Sequence, residues 1–249
     1  MAGRADQRSA VLLDLDETMR QSERGFYRAA RDTAAALSGD GSAVHADVLK
    51  EALIAAIDRV WQAKTEIQKW YGTDESEWIL IWEETLTALG LRDRFSPQDA
   101  TALYRAKVRR HHDLYPDVLP ALEALAGRCK LAVVTNGDTT TQREKVEATG
   151  LAPFVDAILV SGELGVGKPD PRIFERARAM LDVPARRAVH VGDSIEADVA
   201  GARESGIGAV WVNRSGMPSP SCHIKPDHQI RSLVELPDLV DQLLDQPDP

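Results

Sequence analysis

Five short apolar runs, at residues 10–15, 131–135, 157–161, 188–191 and 209–212, each stop at a polar or glycine-containing turn. Helical patterns at 141–149, 171–181 and 195–205 separate the last four runs. Apolar strands alternating with helices predict a parallel sheet joined by right-handed crossovers, with both faces covered. A chain of 249 residues is long enough for one large domain, or for such a core with a modest second domain.

The interval between the first two runs is far too long for one crossover, and it reads as helical. Phe26, Ala30, Thr33, Ala34 and Leu37 form one stripe, with Gly39 expected to close it. Val48, Leu49, Ala52, Leu53, Ala56, Ile57, Val60 and Trp61 form a second, and Trp78, Ile79, Ile81, Trp82, Leu86 and Leu89 a third that ends at Gly90. Ser96-Pro97-Gln98-Asp99 supplies an N-cap, a first-turn proline and an acid for a fourth helix. Residues 20–112 are therefore expected to form a separate helical domain, and 1–19 with 113–249 an α/β core. Trp61, Trp70, Trp78 and Trp82 lie in this insertion, as helix-packing residues or as lining for a pocket or partner contact.

Charge narrows the function classes. The formal net charge of −9 and pI of about 5.2 argue against a general nucleic-acid binder. Cys129 and Cys222 are too few for a disulfide framework or zinc cluster. With no signal-peptide pattern and no run near the ~20 apolar residues of a membrane span, a cytoplasmic setting without membrane contact is expected.

Carboxylates at two strand ends carry the chemistry. The first run ends in Asp14-Leu15-Asp16-Glu17-Thr18, and the fourth in Gly192-Asp193 with Ser194, Glu196 and Asp198 beyond. Side chains two apart on a strand point the same way, and buried carboxylates are costly unless paired, hydrogen-bonded or metal-bound. Acids from two strand ends make an all-oxygen site of the kind that suits Mg2+ with a phosphate. Helix N-capping by Asp16, Thr18, Ser194 or Glu196 is the plainer alternative. Thr135-Asn136-Gly137 ends the second run with groups suited to anionic oxygens, and Lys168 follows the third in a glycine-rich loop. That loop fits GxxxxGK, yet Pro169 replaces the magnesium-binding hydroxyl, so it is not a P-loop.

Taken in order, these four strand ends resemble the haloacid dehalogenase superfamily. Its motifs match Asp14 to Thr18, Thr135-Asn136-Gly137, Lys168-Pro169, and Gly192-Asp193 with Asp198. The resemblance covers nearly all of the α/β part and implies a Rossmann-like parallel sheet whose long insertion is a helical cap. It implies Asp14 as nucleophile, Asp16 as general acid/base and Lys168 as the cation that orients Asp14 and phosphate. Thr135, Asn136 and Thr18 fall on the phosphate side. Asp14, the carbonyl of Asp16 and Asp193 would hold Mg2+, with Asp198 assisting. Glu17 and Met19 depart from the residues common there and read as substrate-side variation.

Dehalogenases of the superfamily use no second aspartate at the position of Asp16, so its presence, with Asp193, favours phosphotransfer, and the motifs leave mutase and hydrolase both open. Phosphonate-cleaving members use a cap lysine, for which Lys50, Lys64, Lys69 and Lys107 are candidates by type alone. Thr135-Asn-Gly-Asp138 with Gln142-Arg143-Glu144-Lys145 is similar to the N-acylneuraminate-9-phosphatase and nucleotidase-like branch, as are the stretches around Trp211 to Arg214 and 230–237. The expected function is a Mg2+-dependent phosphatase of a small phosphorylated metabolite, a sugar phosphate or nucleoside monophosphate. A sugar phosphomutase or a non-catalytic binding protein on the same scaffold are the alternatives. His111-His112-Asp113 and Arg109-Arg110 read as helix-end residues, and Cys222-His223 lacks partner ligands.

Overall fold

A computed structural model describes residues 9–38, 44–65, 68–69, 72–219, 221 and 223–244. It divides into two compact units, Met1–Arg20 with Leu114–Pro249, and Gln21–Asp113. Gly39, Trp70 and Cys222, which the sequence reading used, lie outside the described residues.

The first unit is built on six parallel strands: β1 (Ala10–Leu13), β2 (Lys130–Thr135), β3 (Ala157–Val160), β4 (Ala188–Gly192), β5 (Gly208–Val212) and β6 (His228–Ile230). Their spatial order is β3-β2-β1-β4-β5-β6. The order reverses between β1 and β4, and in such sheets the crevice beyond the carboxyl ends at that reversal is where ligands bind. Asp14 and Asp193 immediately follow these strands or their closing turn. The Asp14 amide donates to the Val191 carbonyl at 2.9 Å, which carries β1 pairing one residue past the strand.

β1 is Ala-Val-Leu-Leu, wholly buried, because helices cover both faces of the sheet. Val11, Leu13, Val133, Val191 and Val210 pack with Val118, Leu122 and Leu125 of the helix Val118–Leu125. On the helix Pro171–Leu181, Ile173, Phe174 and Ala177 are buried, with Asp170 as N-cap and Pro171 at its first position. The edge strand β6 escaped the sequence reading. His-Gln-Ile is too short to show a period, and only its pairing with β5 defines it.

The second unit holds the helices Ser22–Leu37, Ala46–Gln62, Glu75–Ala88 and Pro97–Val108. Their expected stripes meet in a core of Ala30, Ala34, Leu49, Leu53, Ile81, Trp82, Leu86 and Tyr104. Tyr104 is its centre. Trp78 and Trp82 ring centres lie 5.3 and 5.6 Å away, and Phe26 makes an edge contact at 6.1 Å. Trp82 is fully buried and Trp61 is 40% exposed, so only part of the tryptophan set is interior. Asp74 closes a capping box with Glu77, and Gly90 at φ 66° ends that helix. No helix among the described residues is long and apolar enough to cross a membrane.

Trp82→Ala is expected to cost about 3–5 kcal/mol, the usual range for emptying a buried aromatic site. Urea denaturation followed by far-UV circular dichroism measures it.

Candidate functional site

The site begins with a charge conflict at the β1/β4 reversal. Ligand oxygens of Asp14, Asp193 and Asp198 lie within 4.8 Å of one another, and Asp14 and Asp198 are 6% and 2% exposed. One lysine answers them directly. Lys168 Nζ donates to Asp14 Oδ1 and to Asp198 Oδ1, both at 2.6 Å, from a side chain that is itself buried.

Each neighbour is placed by its backbone. Asn136 uses both ends of its amide on Lys168, donating to its carbonyl at 2.7 Å and accepting from its N–H at 2.8 Å. Asn136, expected on the phosphate side, thus fixes the lysine loop. Asp198 accepts from the Ser194 N–H at 2.9 Å and pairs with His190 Nε2 at 2.8 Å. A Cβ at position 192 would overlap the Asp198 carboxyl, so the glycine ending β4 is what lets Asp198 reach the lysine. The turn Ile195–Ala200 that carries Asp198 is wider than an α-helix, of π type, where one helix through 195–205 was expected.

Electrostatics follow from burial. Burial, with repulsion from Asp198, pushes Asp14 up to about 7 even though Lys168 pulls the other way. Asp193 is pushed up to about 8 by burial and by Asp14 and Asp198. Burial would also raise Asp198, but Lys168 and His190 hold it well below the usual carboxylate range. Burial lowers His190. Three acids facing one lysine leave two negative charges unanswered when all are ionised. A divalent cation supplies that deficit, and oxygen-only donors fit Mg2+. The residues present therefore fit the metal that the sequence pattern implies.

Asp16 occupies different surroundings. Its Oδ1 accepts from Arg20 Nε at 2.9 Å, and its Oδ2 from Lys145 Nζ at 2.6 Å and Gln142 Nε2 at 3.2 Å. The Asp16 side chain is 30% exposed, against 9% for Asp14. Thr135, at the end of β2, accepts from the same Gln142 amide. Thr18 is fully buried and its hydroxyl donates to Asp193 Oδ1 at 3.3 Å, so it braces a carboxylate.

The loop after Asp16 is pinned by Arg214, just past the end of β5. Arg214 donates to the Thr18 carbonyl at 2.7 Å, pairs with Asp117 at 2.9 Å and stacks on Tyr115 at 3.7 Å. Tyr115 donates to Glu17 at 2.8 Å, and Glu17 holds φ 59°, uncommon outside glycine. Met19 is fully buried in the sheet core. It is a packing residue, which corrects the reading of position 19 as substrate-side variation.

Sequence reasoning gave no site role to Arg20, Gln142, Lys145, His190 or Arg214. The usable signal was helical spacing, because Gln142 and Lys145 are three apart and share a face. In the helical unit, Lys64 is paired with Glu77 at 2.7 Å and only 6% exposed, and His111 pairs with Asp32 at 3.0 Å. That unit also holds a cleft of about 540 Å³ lined by residues including Arg24, Tyr27, Arg28 and Lys50.

A family model for haloacid dehalogenase-like hydrolases matches residues 9–206. The phosphoserine phosphatase of Thermus thermophilus is 31% identical over 248 residues, covering 91% of this chain and 96% of that protein. The N-acylneuraminate-9-phosphatase of Rattus norvegicus is 35% identical over 165 residues, 65% of this chain and 66% of its own length. The solved 2-haloacid dehalogenase of Pseudomonas syringae superposes with a TM-score of 0.65 at 28% identity, covering 94% of this chain and 98% of that one.

Gly192→Ala is expected to lose about 1–3 kcal/mol, the range for forcing one extra methyl into a packed interior. Thermal or urea denaturation reads the loss. Gly208→Ala, where the nearest atom is a Val189 methyl at 3.3 Å, serves as the milder control.

Proposed function

The chain belongs to the haloacid dehalogenase-like hydrolases, and on that premise we propose a Mg2+-dependent phosphatase of small phosphate monoesters. The reaction runs through an aspartyl-phosphate on Asp14. One observation carries the reading: the Asp14 carboxylate is fixed 2.6 Å from Lys168, while Asp16, two residues on, stands in a separate and more exposed setting.

That pair divides the work. An Asp14 oxygen attacks phosphorus as the ester P–O bond breaks, and Asp16 gives its proton to the departing oxygen. Water then attacks the phosphorus of the aspartyl-phosphate while Asp16, now a carboxylate, takes its proton. Asp14 is regenerated and phosphate leaves. Lys168 keeps Asp14 oriented and its charge faces the phosphoryl oxygens, a task of positioning and electrostatics. Thr135 offers its hydroxyl to the same oxygens. Asp14, the carbonyl of Asp16 and Asp193 would hold Mg2+ with Asp198 alongside, and the cation would neutralise charge on the phosphoryl group. The unit Gln21–Asp113 is proposed as a cap that reads the leaving group and excludes water.

The substrate proposed is a sugar phosphate or nucleoside monophosphate, in a cytoplasmic setting. The rat relative supports the first, and the phosphoserine phosphatase adds an amino-acid ester to the range. A dehalogenase reading has one supporting observation, the Pseudomonas neighbour, and Asp16 weighs against it.

Phosphate release should be measured with Mg2+ on N-acylneuraminate 9-phosphate, phosphoserine, nucleoside monophosphates and hexose phosphates. One or a few esters should stand out, and Asp14→Asn should fall to background on each. Undiminished release by that variant would remove Asp14 from the chemistry. Chloride release from a 2-chloroacid without phosphate release would favour dehalogenation instead.

Chelation tests the metal separately. EDTA should abolish turnover, and added Mg2+ should restore it in wild type. Full activity after exhaustive chelation would remove the cation from the mechanism.

A further inference from the structure

We propose that Lys145 is a positioning residue for the Asp16 carboxylate, acting with Gln142, which couples Asp16 to Thr135. This rests on the phosphatase reading above and deepens it.

Asp16 must present one oxygen first to a leaving group and then to water, yet its side chain is 30% exposed. A carboxylate on two free torsions does not keep such an aim unaided. Three donors hold it. Arg20 takes one oxygen, and Lys145 and Gln142 take the other. Lys145 is 13% exposed at its side chain, and the mechanism gives it no other task. Ordering a lysine side chain costs rotamer freedom, which the 2.6 Å contact with Asp16 offsets.

The helix Thr139–Thr149 is built to deliver these two groups. Asp138 caps it by accepting from the Thr141 N–H at 2.9 Å, directly after Thr135-Asn136-Gly137. Gln142 and Lys145 then fall on one face. Gly137 holds φ 144°, and a Cβ there would come within 3.0 Å of the Gln142 side chain. The glycine therefore gives the glutamine its path to the site. Gln142 is 1% exposed and shares its amide nitrogen between Thr135 and Asp16. One buried amide thus fixes the spacing between a phosphate-side hydroxyl and the proposed acid.

Misplacing a general acid harms poor leaving groups most, because an acidic phenol departs with little protonation. Lys145→Met, Lys145→Arg and Gln142→Leu should be assayed with saturating Mg2+ on p-nitrophenyl phosphate and on an alkyl phosphate that wild type hydrolyses. For Lys145→Met, kcat should fall on the order of 10–100-fold on the alkyl ester and about tenfold less on the aryl ester, part of the usual worth of a general acid. KM should stay within about threefold, Lys145→Arg should recover part of the loss, and Gln142→Leu should show the same leaving-group bias. Equal losses on both esters, or no loss, in the soluble variants would overturn the inference. Should Lys145→Met not fold, Gln142→Leu and Lys145→Arg decide by the same bias. Wild type inert on both esters would instead overturn the phosphatase reading.

Discussion

Everything in the α/β unit defers to one electrostatic problem, three carboxylates, two of them buried, gathered where the strand order reverses. Isolated buried charges cost far more than a fold's net stability, so each must be answered locally. Lys168 answers two of them, and its own placement consumes the whole side chain of Asn136. Asp198 is settled by the lysine, a histidine and a backbone N–H. Asp14 and Asp193 keep the deficit, which is why burial drives both upward while Asp198 goes down. A structural ion-pair network would have been balanced. This one is short by two charges when all three acids are ionised, the complement that a divalent cation would carry, and that shortfall supports the Mg2+ proposal.

Two aspartates two residues apart end in opposite circumstances. Asp14 is enclosed and held by one buried lysine. Asp16 is half-open and held by a guanidinium, an ammonium and an amide. Distinct environments for like groups are how a single site assigns distinct roles to them. The division comes from the chain leaving β1 after Leu13. Asp14 keeps strand pairing with Val191, whereas Glu17 turns left-handed and takes the backbone out of the sheet.

How much of this was legible in the sequence depended on the kind of constraint. The first five strands were readable because a sheet covered on both faces demands apolar runs, and sharp turns must follow them. β6 was not, since three residues at an edge carry no pattern. The acids and Lys168 stood out because charged residues at buried strand ends have few reasons to exist. Gln142 and Lys145 sit on a helix whose composition is ordinary, and only tertiary packing turns that face toward Asp16. Met19 was misjudged for the same reason, as nothing local distinguishes a methionine lining a pocket from one filling a core.

The chemistry of the site is therefore more strongly specified than its substrate. Phosphoryl transfer imposes charge, reach and backbone geometry, which narrow each position to one or two residue types. The helical unit is held by Trp82, Tyr104 and a set of aliphatic side chains, and such cores accept many combinations of equal volume. Around its cleft, Arg28 pairs with Asp113, Lys50 pairs with Asp47 and lies over the Tyr27 ring, and Arg24 donates to Gln21. A phosphoserine phosphatase and an N-acylneuraminate-9-phosphatase resemble this one chain to a similar degree. Their likeness supports a hydrolase of phosphate esters without choosing the ester.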